Sequence, residues 1–153
     1  MAICRTICFI LIICQPLSAF AQVVSENVKL NFATVMIPST GSETLTISTT
    51  GTVSGNATVI SGTPLNGEYL ISKGTGPNRS ISIDIQEGTS ISGITLQNFT
   101  ATYNGNTITL PATGLAAPGG SGKILKVGVS AVISSTISEN SYSPALDLII
   151  IKE

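Results

Sequence analysis

The sequence has no histidine and no tryptophan, and its three cysteines (Cys4, Cys8 and Cys14) all lie near the N-terminus. Without histidine the chain lacks the side chain that most often serves as general base and metal ligand near neutral pH. Charge is also scarce, at 10% of residues. No basic stretch could neutralise a run of phosphates, which argues against a nucleic-acid partner. No apolar run reaches the ~20 residues needed to span a bilayer as a helix.

The N-terminus reads as a cleavable signal peptide over residues 1–21. Arg5 is its one charge, Ile7 to Cys14 forms a short apolar core, and Gln15-Pro16 breaks it. Ala19-Phe20-Ala21 is a small-x-small cleavage site, so Gln22 is the expected first residue of the mature chain. Lipoprotein processing at Cys14 is the alternative. It is disfavoured because Ile13 occupies a position that wants a small residue. The expected destination is the periplasm, the cell surface or the medium, with no membrane span once the signal is removed. Cleavage after Ala21 would remove every cysteine, and with them any disulfide, thiolate metal site or thiol nucleophile.

What remains, residues 22–153, is expected to be one domain. Serine and threonine are abundant and alternate with Ile, Val and Leu, the composition of half-exposed β-sheet faces. Period-two alternation recurs, and helical spacing is never sustained. Ile81, Ile83 and Ile85 alternate with Ser80, Ser82, Asp84 and Gln86. Leu125, Val127, Val129, Ala131 and Ile133 form a longer stripe opposite Lys126, Gly128 and Ser130, and Leu45 and Ile47 a shorter one. Turn signals separate these runs: Pro38–Gly41, Thr63–Gly67, Gly74–Asn78 and Asn104-Gly105. Asn-Gly between alternating segments predicts a type I′ hairpin. The apolar phase slips between Leu96 and Phe99, which predicts a bulge or strand change. Pro111 to Gly122 reads as a flexible loop. Together these predict an all-β, antiparallel sandwich of eight or nine strands with Ig-like or Greek-key connections, a closed barrel being the runner-up.

Candidate chemistry is thin. A hydroxyl nucleophile needs an adjacent base, and Ser72-Lys73 and Ser121-Gly122-Lys123 are neighbours that chance produces in so serine-rich a chain. Gly119-Gly120-Ser121-Gly122-Lys123 looks like a phosphate loop. However, Ala117 replaces the first glycine, Ile124 replaces the magnesium-binding hydroxyl, and a β-stripe follows instead of a helix. Asp84 and Glu87 are close in sequence but have no calcium-loop pattern around them. The reading is a non-enzyme without cofactor or metal. Tyr142, before the last strand, is a candidate exposed contact or else a tyrosine bonding the backbone.

The final strand, Ala145 to Ile151, alternates on both faces. Asp147 belongs with solvent, so Leu146, Leu148 and Ile150 should face the core, leaving Ile149 and Ile151 outside. An apolar outer run beside a sheet edge can recruit another strand. Ile149 and Ile151 are therefore the candidate self-association residues. The strand itself is expected to pair with Leu125–Ile133.

Leu30-Asn31-Phe32-Ala33, Ser61-Gly62-Thr63-Pro64, Gly67-Glu68-Tyr69-Leu70-Ile71, Ser80–Ile85, Leu125-Lys126-Val127-Gly128 and the closing strand to Ile151 follow one another in an order with a precedent. This order resembles an uncharacterised family of secreted bacterial β-sandwich domains with an L-x-F-G opening and a G-x-Y-x-G approach to the last strand. That family is itself similar to fimbrial subunits and spore-coat-like pilins. The resemblance spans roughly Leu30 to Ile151. It implies an exported structural or adhesive surface protein whose partners are copies of itself or other surface subunits. The alternative is a soluble periplasmic or secreted binding module, for instance for carbohydrate. Two departures stand out: Ala33 replaces a family glycine, and Asn140–Pro144 lacks both glycines.

Overall fold

The computed structural model describes residues 22–138 and 145–153. Among them are twelve β-strands and no helix. In chain order these are β1 (Val23–Val28), β2 (Thr34–Val35), β3 (Ser42–Ile47), β4 (Val53–Gly55), β5 (Val59–Ser61) and β6 (Gly67–Ser72). They are followed by β7 (Ile81–Glu87), β8 (Ile94–Tyr103), β9 (Asn106–Ile108), β10 (Ala112–Leu115), β11 (Lys123–Ser134) and β12 (Leu146–Lys152). All pairings are antiparallel, as the sequence predicts; the count exceeds eight or nine because several strands have only two to four residues.

The large sheet is built around β11. One side of β11 pairs with β8 from Leu125 to Ile133. The other side is shared: β6 takes Lys123 to Val127, and β3 takes Val129 to Ser134. Strands β1, β4 and β9 extend this sheet to seven strands by pairing with β6, β3 and β8 respectively. The changeover on β11 falls at Gly128. A Cβ there would sit 2.6 Å from the Ile47 carbonyl oxygen and 2.7 Å from the Ser48 carbonyl carbon. Backbone occupies that space, so the position requires glycine.

A three-stranded sheet, β10-β7-β12, forms the second layer. Ile81, Ile83 and Ile85 of β7 are buried and join Tyr69 and Ile71 of β6, Ala101 and Tyr103 of β8, and Leu125 and Val127 of β11 in one apolar cluster. This is the inward stripe that alternation predicts. Farther along β11, Val129, Ala131 and Leu96 are covered by Leu30, Phe32 and Phe99. A short ribbon, β2-β5, lies outside both sheets.

Local predictions hold where chemistry is local. Asn104 and Gly105 take φ of 51° and 80° and close the β8–β9 hairpin, with Tyr103 opposite Asn106. The phase slip near Leu96 is a bulge: β11 advances from Gly128 to Ser130 while β8 moves from Thr100 to Gln97, and Asn98 has φ 53°.

Two expectations are corrected. The segment 111–122 is not a free loop. Ala112–Leu115 forms β10, pairing with Ile83 and Ile81 of β7. Beyond it Pro118 is fully buried, and Gly119 accepts from the Lys73 N–H while donating to Asn78 Oδ1. The last strand, β12, pairs with β7 and not with β11. Both sides of β11 are already occupied, so no edge remains there for it.

Ala33 has φ 61°. The left-handed region costs a non-glycine residue roughly 1–2 kcal/mol. Ala33→Gly should therefore raise stability by about 0.5–1 kcal/mol after glycine's extra chain entropy is subtracted. The check is a higher urea midpoint at unchanged m-value.

Candidate functional site

The outer face and free side of the small sheet collect the residues with functional potential. Strand β12 pairs with β7 over its whole length, Leu146 with Glu87 through Lys152 with Ile81, with no register shift. Leu146, Leu148 and Ile150 turn toward the core and remain only partly buried. Ile149 and Ile151 turn outward, 39% and 59% exposed. On that face Ile149 lies opposite Asp84, and Ile151 opposite Ser82. The structure thus puts the two candidate self-association residues on one exposed face of an edge strand, as alternation requires.

The end of this sheet is latched by Glu153. Its N–H donates to the Ser80 carbonyl (3.0 Å), which prolongs the β7–β12 ladder by one residue. Its carboxylate accepts from the Ser82 hydroxyl and from the Gly114 N–H (3.0 Å), so one side chain ties all three strands. Hydrogen bonds to the carboxylate, from the Ser82 hydroxyl foremost, then from the Gly114 N–H and the Ser80 side chain, hold its carboxyl below the ordinary glutamate range. A carboxyl whose pKa is lowered by folding stabilises the fold above the unfolded-state value, and that contribution is lost as pH falls through the folded value. Glu153→Gln should therefore lower the urea midpoint near neutral pH. The gap to the parent should close as the pH is taken below about 4. A gap that stays constant with pH would show that the charge is not what the latch uses.

From sequence, Lys152 and Glu153 read only as end charges that limit uncontrolled strand pairing; the latch is not legible there, because the partners of Glu153, Ser82 and Gly114, are distant in the chain and meet only through sheet pairing. The other sequence candidates fall as follows. Tyr142, Ala19 and Ala21 lie outside the described residues, and Gln22 directly precedes β1. The glycine-rich segment ends in Lys123, whose Nζ stands 5.8 Å from the centre of the Tyr103 ring. Tyr103 is a backbone-bonded tyrosine: its hydroxyl donates to the Ala116 carbonyl at 3.0 Å, and burial pushes its pKa up to about 12. Glu87 accepts from the Leu96 N–H at 2.8 Å and bridges the two sheets. Asp84 accepts from the Gln86 side-chain amide and the Ile85 N–H. Asp84 and Glu87 thus serve separate strand contacts. Among the described residues no three acidic side chains converge as metal ligands would, and no helix is long and apolar enough to cross a membrane.

These features define the class: an all-β two-layer module with an edge strand, β12, that turns two isoleucines outward. Within that class the chain belongs to the DUF4402 family, a domain of unknown function, whose family model matches residues 23–149. No curated protein and no solved structure matches it.

Proposed function

We propose that the protein is an exported, non-catalytic structural or adhesive component of a cell surface, fimbrial-subunit-like, that associates with its own kind through strand contacts. The observation that carries the reading is the exposed pair Ile149 and Ile151 on an edge strand. A free monomer gains nothing from two large apolar side chains held outward there, whereas an assembly surface does. The signal-peptide pattern of residues 1–21 and the absence of His from the chain support the remainder of the reading. The carbohydrate-binding alternative finds less support. Tyr69 and Tyr103 are buried in the core and Phe32 and Phe99 are partly buried against it, so none of these four is a fully exposed platform.

The test has two arms. The chain expressed in a bacterial host should be recovered from the envelope or medium with Gln22 as its N-terminal residue. Purified residues 22–153 should show a mass by light scattering that rises with concentration. Retention of Met1 in the exported fraction would reject export by this signal, and a strictly monomeric mass would reject self-association.

A further inference from the structure

Resting on that reading, we propose that β12 is the dimerisation strand: it pairs antiparallel with β12 of a second copy, about a twofold axis at Ile149, and the two small sheets join into one continuous sheet. The first support is a comparison of edges. Strand β1 carries a bulge between Glu26 and Val28. Strands β4 and β9 have three residues each. Strand β10 is bulged between Ala112 and Leu115, and the exposed side of β8 is bent at its Asn98 bulge. Each is blunted in a way that discourages further pairing. Strand β12 alone has seven residues in unbroken register, with neither proline nor glycine.

The second support is the direction of its backbone groups. The Gly88 N–H donates to the Ala145 carbonyl, and the Glu153 N–H donates to the Ser80 carbonyl. In an antiparallel ladder hydrogen-bonded pairs alternate, so residues 147, 149 and 151 also direct their N–H and C=O toward β7. Leu146, Leu148 and Ile150 direct theirs away, toward the open side. Among the described residues β12 has no strand partner other than β7. The side chains of these same three residues face the core yet stay partly exposed. A strand laid alongside would satisfy their backbone groups and cover their side chains together.

A second copy fits this edge in one register. Shifts by one residue would turn the core-facing side chains to solvent. With Ile149 on the axis, Leu148 exchanges hydrogen bonds with Ile150 of the second copy, and Asp147 lies opposite Ile151. Ile149 meets its own counterpart in a non-hydrogen-bonded pair, where side chains approach most closely. A shift of two residues in one direction sets Asp147 against Glu153, two like charges. The opposite shift shortens the overlap. The axis at Ile149 is therefore the register that uses the whole strand.

Residues 22–153 contain no cysteine, so an introduced one reports this contact alone. In the Ile149→Cys variant the paired Cα atoms would lie about 4.5 Å apart, within disulfide range. Mild oxidation should convert it to a covalent dimer on non-reducing gels, while Ile151→Cys, facing Asp147, should not cross-link. Ile149→Lys sets two like charges face to face and should weaken dimerisation roughly tenfold or more, with an unchanged circular-dichroism spectrum. A protein that self-associates, yet neither cross-links as the Ile149→Cys variant nor responds to Ile149→Lys, would overturn this interface and leave the broader reading standing. Cross-linking of the Ile151→Cys variant in place of Ile149→Cys would overturn the register. A protein monomeric at every concentration would reject both proposals.

Discussion

Removal of residues 145–153 is expected to leave a chain that does not fold. Full burial of a Leu or Ile side chain contributes about 1.5–3 kcal/mol. Three such side chains on β12 (Leu146, Leu148 and Ile150) are mostly buried against the core, so their loss removes roughly 3–8 kcal/mol. The β7–β12 ladder goes with them, at about 1 kcal/mol net for each hydrogen bond. The Glu153 latch on Ser82 and Gly114 is lost as well. What remains of the second layer is β7 with the short, bulged β10, and an isolated two-stranded unit is marginal in water. The total approaches the roughly 5–15 kcal/mol that holds a typical domain together. Circular dichroism and proton NMR of residues 22–144 provide the check: collapsed chemical-shift dispersion is expected, and a native-like spectrum would mean that β12 is not needed to close the core.

Ile83→Ala is the second large effect, at about 2–5 kcal/mol. Ile83 is 1% exposed at the middle of β7, between Ala112 of β10 and Ile150 of β12. Its side chain belongs to the cluster that includes Tyr69, Leu125 and Val127. Both flanking strands hold β7 in place, so the surroundings cannot collapse into the vacated volume, and the loss should fall in the upper part of that range. Gln86→Ala, an exposed position on the same strand, should stay within about 0.5 kcal/mol. Urea titrations of the two variants should differ in midpoint at the same m-value. Equal losses would mean that the alternation of β7 had been assigned to the wrong faces.

The alternation of β7 and β11 was legible because burial on one face writes itself directly into every second residue. The Asn104-Gly105 hairpin was legible because only a few residue types accept positive φ at both turn positions. The bulge near Asn98 was legible as a break in phase. The reach of such reasoning ends where the information is not local. Alternation shows which face of β12 is apolar but not which strand lies beside it, and the choice of β7 over β11 rests on β6, β3 and β8 having filled both sides of β11. Strand β10 was hidden because Pro111, Gly114 and Pro118 are read as loop residues, although the two prolines flank, and Gly114 lies within, a four-residue strand whose Ala112 and Leu115 pair with β7. At the candidate site the outward Ile149 and Ile151 could be read from their spacing. The carboxylate latch could not, because Glu153 and Gly114 are 39 residues apart.

The central position of β11 also bears on timing. Its partners β3, β6 and β8 all precede it in the chain, and the Thr46–Ser130 hydroxyl pair alone spans 84 residues. A ribosome releases the N-terminus first, as does any pore that threads the chain in that order. Until Ser134 has emerged, none of the three has the neighbour that organises the large sheet. Such non-local topologies fold slowly, typically in milliseconds to seconds. The large sheet therefore cannot close until most of the chain has emerged. Over the same interval its isoleucine- and valine-rich strands lie unshielded, which is when aggregation competes most strongly with folding.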